Sequence, residues 1–318
     1  MRLRGYIAAT VCVLLTATAL LFFYARRVPQ RLPLFVATPA PQVELIPVYL
    51  GVALGYFEAS GLPVQIVNTL SELGQKEPAL CACRLEEIIY GCSLEAKRRV
   101  ATAVLTEKES ALLLSRQPES FSWDKTKQKS IISNGPANST TVILEEILRK
   151  NKIPPHREVT IMQNIPEELR IPAFLAGTGD YIIVPEPTAT SLIKQNRAFF
   201  AAPLYTEGPL PLVVLAAGEE WTAQNKKTIE TFNRALGRAR GYLYSRSPQE
   251  IACIVGPYFP HVSLSTLETA VTRCQKDRIW SPTGTSDQVS FDRLQEILKR
   301  AGELPRPVPY HEVFMSQK

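Results

Sequence analysis

The chain has 318 residues, of which 45% are hydrophobic and 21% are charged, a balance that is typical of a globular protein and excludes a disordered chain. Its formal net charge is +6 and its pI is about 9.0, but the basic residues are scattered and alternate with acidic pairs such as Glu86-Glu87. This distribution indicates a solvated basic surface, so we expect no nucleic-acid partner.

The N-terminal segment carries an uncharged run of 19 residues, positions 6–24, with Arg2 and Arg4 before it and Arg26 and Arg27 after it. Such a run is long enough to span a bilayer. The bulky residues at its end, which begin at Phe22, are unlike a signal-peptide cleavage site. The sequence therefore predicts an N-terminal transmembrane helix in an anchor segment at 1–31, with export as a cleaved signal segment as the alternative.

A strand–helix–strand unit follows the anchor. Leu32–Pro39 has the pattern of an apolar strand, and apolar residues at helical spacing follow Pro47, which suits a first helical turn. Gly61 then provides a helix stop because it reaches positive φ without steric cost. Val64–Val67 follows as a β-branched strand. This order predicts a parallel sheet that binds ligands at its carboxyl edge.

Strands and helices alternate along most of the remaining chain. Two apolar stretches interrupt this alternation, at 110–118 and at 205–216, and we interpret them as crossings between two lobes that enclose a cleft. The predicted strands are 79–83, 99–106, 110–115, 130–133, 158–162, 181–184 and 199–203, and the predicted helices are 84–92, 139–150, 167–176, 188–196, 221–245, 249–258, 265–277 and 290–301.

Five sequence pieces, in this order, resemble the solute-binding proteins of ABC importers, in particular the branch that handles nitrate, alkanesulfonates, taurine and the pyrimidine precursor of thiamine. The similarity covers about residues 32 to 300. The pieces are GYFEASGLPVQIV at 55–67, Trp123-Asp124, Asn138-Ser139-Thr140-Thr141, Ala173-Phe174-Leu175-Ala176-Gly177 before Asp180, and Glu186-Pro187.

The resemblance implies an α/β chain with a two-lobed periplasmic-binding-protein-like fold of type II. The first lobe would comprise 32–115 and 211–318, and the second 116–210. The implied function is a non-enzymatic, cofactor-free, monomeric receptor on the extracytoplasmic face of the membrane. It would deliver a sulfonate, nitrate, taurine or aminopyrimidine type of solute to an ABC permease and its ATPase.

Two alternatives remain open at this stage. One is an enzyme of pyrimidine-precursor synthesis built on the same fold. The other is a degenerate receptor or sensor module, because the segment Thr69–Pro78 is too short for the helix that relatives usually place there.

The helix that begins near Ser139 provides the first candidate site. Free N–H groups of a first turn, together with the helix dipole, attract anions. By resemblance, Asn138, Ser139, Thr140 and Thr141 would contact the polar head of the ligand. Plain helix capping is the alternative interpretation.

Further candidates lie where other predicted strands end. Arg84 would bind a carboxylate or sulfonate, or else form a surface ion pair with Glu86 or Glu87. Glu186 would accept an N–H donor of the ligand, or else cap the following helix. The remaining candidates are Thr38, Gln42, Glu44, Cys83 and Tyr205.

Five cysteines lie beyond the anchor, an odd number that cannot all pair internally. Cys253 and Cys274, on successive predicted helices, either form a disulfide or remain free thiols. We expect no metal site, since no His or Asp completes a set with Cys81, Cys83 and Cys92.

Overall fold

The computed structural model describes residues 33–38, 40–67, 80–94, 98–205 and 208–315. The predicted anchor at 1–31 and the short segment Thr69–Pro78 lie outside these ranges. Within them, no helix combines the length and the apolar character that a membrane span requires. The compact unit that begins at Leu34 has the fold described below.

The first sheet, called sheet 1, has the strand order β2-β1-β3-β10-β4. Strands β1 and β2 are parallel, as are β1 and β3, whereas β10 runs antiparallel to both β3 and β4. The strands are β1 (Leu34–Ala37), β2 (Val64–Val67), β3 (Leu80–Arg84), β4 (Arg99–Val104) and β10 (Val213–Gly218). The predicted strand–helix–strand unit with parallel strands is confirmed.

The second sheet, called sheet 2, has the order β7-β6-β8-β5-β9. Here β6 is parallel to β7 and β8, and β5 is antiparallel to β8 and β9. Its strands are β5 (Leu112–Ser115), β6 (Ser130–Ile132), β7 (Thr160–Met162), β8 (Tyr181–Val184) and β9 (Phe199–Pro203). The two sheets share one topology, in which the antiparallel strand, β10 in sheet 1 and β5 in sheet 2, is the first that the chain forms after it crosses over from the other sheet.

Most predicted helices form with boundaries close to those expected. They are α1 (Ile46–Ala53), α2 (Leu85–Ser93), α3 (Ser139–Lys150), α4 (Glu167–Leu175), α5 (Thr188–Lys194), α6 (Glu219–Gln224), α7 (Lys226–Ser245), α8 (Pro248–Val255), α9 (Leu264–Asp277), α10 (Gln288–Arg300) and α11 (Tyr310–Val313). Gly61 adopts φ 69°, as expected of the residue that ends the first helical segment.

The first crossing differs from the prediction. The strand predicted at 110–115 forms as β5, but it pairs with β8 and β9 inside sheet 2 instead of connecting the two lobes. The chain therefore passes between the sheets at 105–111. All four residues of β5 are buried, so an apolar run of this kind belongs in a sheet rather than in an exposed connection.

The hydrophobic core has one part that both sheets share. It includes Leu85 and Ile89 of α2, Val142 and Ile147 of α3, and Phe291 of α10, all with little or no exposure. A second cluster covers the other face of sheet 1 beneath α1, α7, α8 and α9, and a third covers sheet 2 beneath α4 and α5. This shared part of the core packs α2 against α3, and the candidate site described below lies where these two helices begin.

Replacing Gly51 with alanine is expected to destabilise the protein. A Cβ at this position in α1 would lie 2.8 Å from Cζ of Phe57, whose buried ring stacks on Phe232. Overpacking of this kind costs about 1 to 3 kcal/mol, more than the helix propensity of alanine returns. Gly91→Ala in α2 is the matched control, since no atom lies within 4 Å of the added Cβ. Urea unfolding that ranks Gly51→Ala above Gly91→Ala in stability would contradict the interpretation.

Candidate functional site

A cavity of about 540 Å³ lies between the two sheets. Its wall combines residues that follow β1 and β3 of sheet 1 with residues that follow β6 and β8 of sheet 2. These four strands run parallel within their sheets, so their carboxyl ends meet at the edges where α/β folds bind ligands. The position matches the cleft predicted from the sequence.

Seven of the predicted site residues line this cavity: Gln42, Glu44, Cys83, Arg84, Asn138, Thr140 and Glu186. Four do not. Ser139 and Thr141 are fully buried behind the wall, and the hydroxyl of Thr141 lies 2.7 Å from that of Ser133. Thr38 is also buried, and its hydroxyl donates to the carbonyl of Ala40 at 2.9 Å.

Tyr205 is the fourth predicted residue that does not line the cavity. Its ring lies against Lys108, with the ammonium nitrogen 5.6 Å from the ring centroid. Tyr205 was a candidate because an aromatic ring can stack on a ligand, but in the structure its ring forms a cation–π contact on the return crossing.

Arg84 forms an ion pair, but with Glu109 rather than with Glu86 or Glu87. Its Nη1 lies 2.8 Å from Oε2 of Glu109 and its Nη2 lies 3.3 Å from Oε1, a bidentate arrangement. The same Nη1 donates to the hydroxyl of Ser139 at 3.0 Å. Arg84 therefore joins the end of β3 to the start of α3 across the gap between the sheets.

The N-terminus of α3, predicted as an anion site, is occupied by side chains of the protein itself. Oε1 of Glu86 accepts the N–H of Ser139 at 2.8 Å, and Oδ1 of Asn138 accepts the N–H of Thr140 at 3.1 Å. The hydroxyl of Thr140 donates to Glu109 at 2.7 Å. Glu86 and Asn138 thus occupy N–H groups at the start of α3 that were expected to bind the ligand.

Burial and charge pairing shift the pKa values of the carboxyl groups around Arg84 in different directions. Burial raises the pKa of Glu44 and of Glu86, and the hydrogen bond from Ser110 only partly offsets this at Glu44. Burial alone would also raise the pKa of Glu109, but Arg84 and Thr140 hold it below its usual value. Glu109 is therefore the ionised partner of Arg84, while Glu44 and Glu86 resist ionisation.

Glu186 lines the cavity and also caps α5. One carboxylate oxygen accepts the N–H of Thr190 at 3.0 Å, and the other accepts its hydroxyl at 2.8 Å. Arg273 of α9 forms an ion pair with the same carboxylate, whose side chain is fully buried. Both carboxylate oxygens thus already have partners within the protein, which leaves Glu186 little capacity to accept a hydrogen bond from a ligand.

Cysteines in the described residues are all free thiols, so the disulfide considered for Cys253 and Cys274 is absent. Burial raises the pKa of Cys81 and of Cys83, which keeps both as thiols at neutral pH. A thiol held protonated is a poor nucleophile. This environment gives no support to cysteine chemistry in the cavity.

Sequence reasoning missed Arg170 of α4, which lines the cavity. Its Nη1 donates to Oδ1 of Asn134 and its Nε donates to the carbonyl of Ile165 at 3.2 Å. In the described parts of the chain, no carboxylate forms an ion pair with it. An arginine before an apolar helical segment gives no local signal that it faces a cleft.

Comparisons with known proteins support the architecture. No family model matches the sequence. The Bacillus subtilis (strain 168) protein described as "Putative binding protein YtlA" is 26% identical over 287 residues, which are 87% of this chain and 86% of that protein.

Solved structures agree at lower sequence identity. The ligand-binding component of an ABC-type import system from Staphylococcus aureus superposes with a TM-score of 0.72 at 12% identity, over 90% of this chain and 97% of that one. The alkanesulfonate-binding protein SsuA from Xanthomonas axonopodis pv. citri gives 0.68 at 14% identity, over 89% and 98%. The chain therefore has the fold of the ABC-type solute-binding proteins that its sequence motifs resemble.

Proposed function

We propose that the chain is the solute-binding receptor of an ABC importer, which captures a small polar solute between two lobes and delivers it to a permease. The observation that carries this proposal is the cavity of about 540 Å³ whose wall is shared by the carboxyl ends of strands from both sheets. A volume of this size suits a small organic molecule, and the position is the usual ligand site of open α/β sheets. The likeness to binding components of import systems supports the same function.

The organisation of the chain in this proposal follows the sequence analysis. Residues 1–31 would hold the body at the extracytoplasmic face of the membrane, or direct its export. The lobes would follow the two sheets, one formed by the strands before the 105–111 crossing together with the C-terminal part, the other by the strands between. The body would act as a monomer, without catalysis, and present both lobes to the permease and its ATPase once solute is bound.

Contacts between the lobes around the cavity couple solute binding to closure of the receptor. Arg84 with Ser139 on one side, and Arg273 with Glu186 on the other, join residues of different sheets around the cavity. A solute that touches both walls adds contacts that exist only when the lobes are together. Binding therefore favours the closed arrangement, as expected of hinge closure around a ligand.

Thermal unfolding and small-angle X-ray scattering test the proposal against sulfonates, nitrate, taurine, aminopyrimidines and small amines. A true ligand at one hundred times its Kd is expected to add about 2.7 kcal/mol to the free energy of unfolding. The same ligand should lower the radius of gyration and should be recovered chemically unchanged. Conversion of the compound would favour an enzyme instead.

A blocking variant provides the matched control. Gly135 lines the cavity, and an added Cβ there meets no atom within 4 Å, so Gly135→Phe should fold and fill part of the site. Gly241→Phe places the same side chain on the exposed face of α7, where an added Cβ also meets no atom. Stabilisation by ligand should disappear in the first variant and persist in the second. Loss in both, or in neither, would contradict binding in this cavity.

A further inference from the structure

The two sides of the cavity are built differently. On one side lie α2 and α3, which begin at the cavity wall, and α10, which packs against α3. A single cluster of buried apolar residues continues through all three helices and includes Ile89, Val142 and Phe291. The same cluster takes in strand residues of both sheets, such as Val104 of sheet 1 and Ile183 of sheet 2. On this side the two halves of the protein therefore share one apolar core.

On the other side of the cavity, α9 meets α5 without a shared core. The buried apolar residues of α9, among them Leu267 and Val271, belong to the cluster on sheet 1. Those of α5, Ala189 and Leu192, belong to the separate cluster on sheet 2. Among the described residues, no apolar cluster contains members of both helices. Separation of α5 from α9 therefore leaves each cluster with its own packing.

Polar contacts join α9 to α5 instead. Arg273 of α9 forms an ion pair with the buried carboxylate of Glu186, and its Nη1 donates to the hydroxyl of Thr190 at 2.9 Å. Nζ of Lys194, at the end of α5, donates to the carbonyl of Ser265 at 2.6 Å. Hydrogen bonds of this kind are exchanged for hydrogen bonds to water when the helices separate, whereas water offers no such replacement for apolar contacts.

The contact between α5 and α9 also adjoins the cavity. Glu186, Pro187 and Thr188 line the wall where α5 begins. Separation of α5 from α9 would open the wall at this point and hydrate the carboxylate of Glu186. Separation of α3 from α2 and α10 would instead split the shared apolar cluster, which makes it the more costly of the two motions.

We propose that the cavity opens between α5 and α9, where Arg273 and Glu186 form a latch, and that the packed side formed by α2, α3 and α10 is the pivot. The inference rests on the proposed receptor function and specifies the motion that admits the solute. Arg273 is a positioning residue in this motion, since it lies behind the cavity wall and acts through Glu186. The free protein thus exchanges between a closed and an open arrangement through one side.

Distances between paired spin labels, measured by pulsed electron paramagnetic resonance, test this motion without any solute. One pair, Gln195→Cys with Thr272→Cys, spans the contact between α5 and α9. The other pair, Asn151→Cys with Glu296→Cys, spans the contact between α3 and α10, and all four positions are exposed. Both pairs are placed in the full chain with Cys253→Ser, because Cys253 is the exposed thiol among the described residues. The same chain without added cysteines measures the residual labelling.

Variants of the two sides assign the motion. Arg273→Gln leaves the carboxylate of Glu186 without its counter-charge. It should raise the ratio of the longer to the shorter distance across α5 and α9 by about tenfold or more, the scale of a charge-assisted hydrogen bond, and leave the distance across α3 and α10 unchanged. Arg300→Gln is the matched control, because Arg300 of α10 pairs with the buried carboxylate of Glu146 of α3 at 2.9 Å. It removes the same charge from the packed side and should change neither distance.

A second variant keeps the test decisive if Arg273→Gln fails to fold. Thr190→Val is close to the native side chain in volume and removes the hydroxyl that contacts both Glu186 and Arg273. It should shift the distance across α5 and α9 in the same direction as Arg273→Gln.

The outcomes separate this inference from the proposed function. A longer distance across α3 and α10 in Arg273→Gln, or equal changes across both contacts, overturns the assignment of the pivot. An unchanged distance across α5 and α9 in every folded variant of the latch overturns the latch. Neither result affects the receptor function, because stabilisation of the wild-type protein by a solute does not depend on which side opens. Absence of stabilisation by every compound, together with the expected change across α5 and α9, supports the opening motion and overturns the receptor function.

Discussion

Replacing Arg84 with methionine is expected to lower the free energy of unfolding by about 3 to 5 kcal/mol, the usual cost of removing one partner from a buried ion pair. The guanidinium forms two hydrogen bonds to Glu109 and one to Ser139. Without it, Glu109 stays buried beside Glu44 and Glu86 with no cation to balance the three carboxyl groups. Urea unfolding monitored by circular dichroism measures the change.

A second substitution distinguishes a lost ion pair from lost packing. In Arg84→Met with Glu109→Gln the uncompensated charge is gone. The amide oxygen still accepts the N–H groups of Ser110 and Ala111, and the amide NH2 group can donate to the hydroxyl of Thr140 in place of the hydrogen bond that the carboxylate accepts from it. The double variant is therefore expected to be more stable than Arg84→Met alone. A double variant as unstable as the sum of the two single ones would mean that the pair contributes little.

Lys127→Met is the surface control for this experiment. Lys127 lies 2.9 Å from Asp124, and both side chains are largely exposed. Exposed ion pairs of this kind contribute little because water screens them and holding the side chains costs entropy. The unfolding midpoint of this variant should match that of the wild-type protein. A large loss here would indicate that charge removal in general, rather than burial of the pair, destabilises the fold.

The sequence predicted the sheets and most helices because their signals are local. Apolar spacing and strand-like runs identify β8 and α3 with boundaries that agree with the structure, and Gly61 ends its segment at positive φ as expected. The single helix predicted at 221–245 is instead two helices separated at Asn225, whose side chain donates to the carbonyl of Trp221. The Asn225 side chain bonds to a backbone carbonyl that the helix would otherwise use, so the helix ends there. The spacing of apolar residues does not change at such a break, so the sequence pattern could not reveal it.

The composition of the candidate site was predictable in part. Parallel strands place their carboxyl ends together, so Glu44, Arg84, Asn138 and Glu186 could be assigned to one cleft from strand order alone. The hydrogen-bond and ion-pair partners of these residues could not be predicted from the sequence. Glu109 reaches Arg84 from 25 residues away and Glu86 reaches Ser139 from 53, and no motif links positions at such separations. The occupied start of α3 follows from those distant contacts.

Trp280 supports the segment that carries Glu44. Its side chain is completely buried, and its indole N–H donates to the carbonyl of Val43, the residue before Glu44, at 2.9 Å. The ring packs against Tyr244 with centroids 6.3 Å apart, and the hydroxyl of Tyr244 donates to the carbonyl of Trp280. Trp280 therefore connects the C-terminal part of the chain to the cavity wall.

Trp280→Ala is expected to cost about 3 to 5 kcal/mol, because a buried indole leaves a large cavity behind. Trp280→Phe keeps an aromatic ring and loses the hydrogen bond, so it should cost less in stability. Val43 still accepts the N–H of Ile46 in that variant, and the missing hydrogen bond accounts for about 1 kcal/mol. Trp221→Ala, at a partly buried position against the same cluster, is the size-matched control and should cost less than Trp280→Ala.

Calorimetry on the same three variants connects this packing to ligand binding. If Trp280 positions the turn at Val43–Leu45, then Trp280→Phe should weaken binding of a solute that stabilises the wild-type protein, while Trp221→Ala should leave it unchanged. The indole of Trp280 donates a hydrogen bond to that turn, and among the described residues no hydrogen bond joins Trp221 to it. The two effects are separable because affinity is measured on folded protein well below the unfolding midpoint. Equal losses of affinity in Trp280→Phe and Trp221→Ala would show that general destabilisation, rather than the position of Glu44, governs binding.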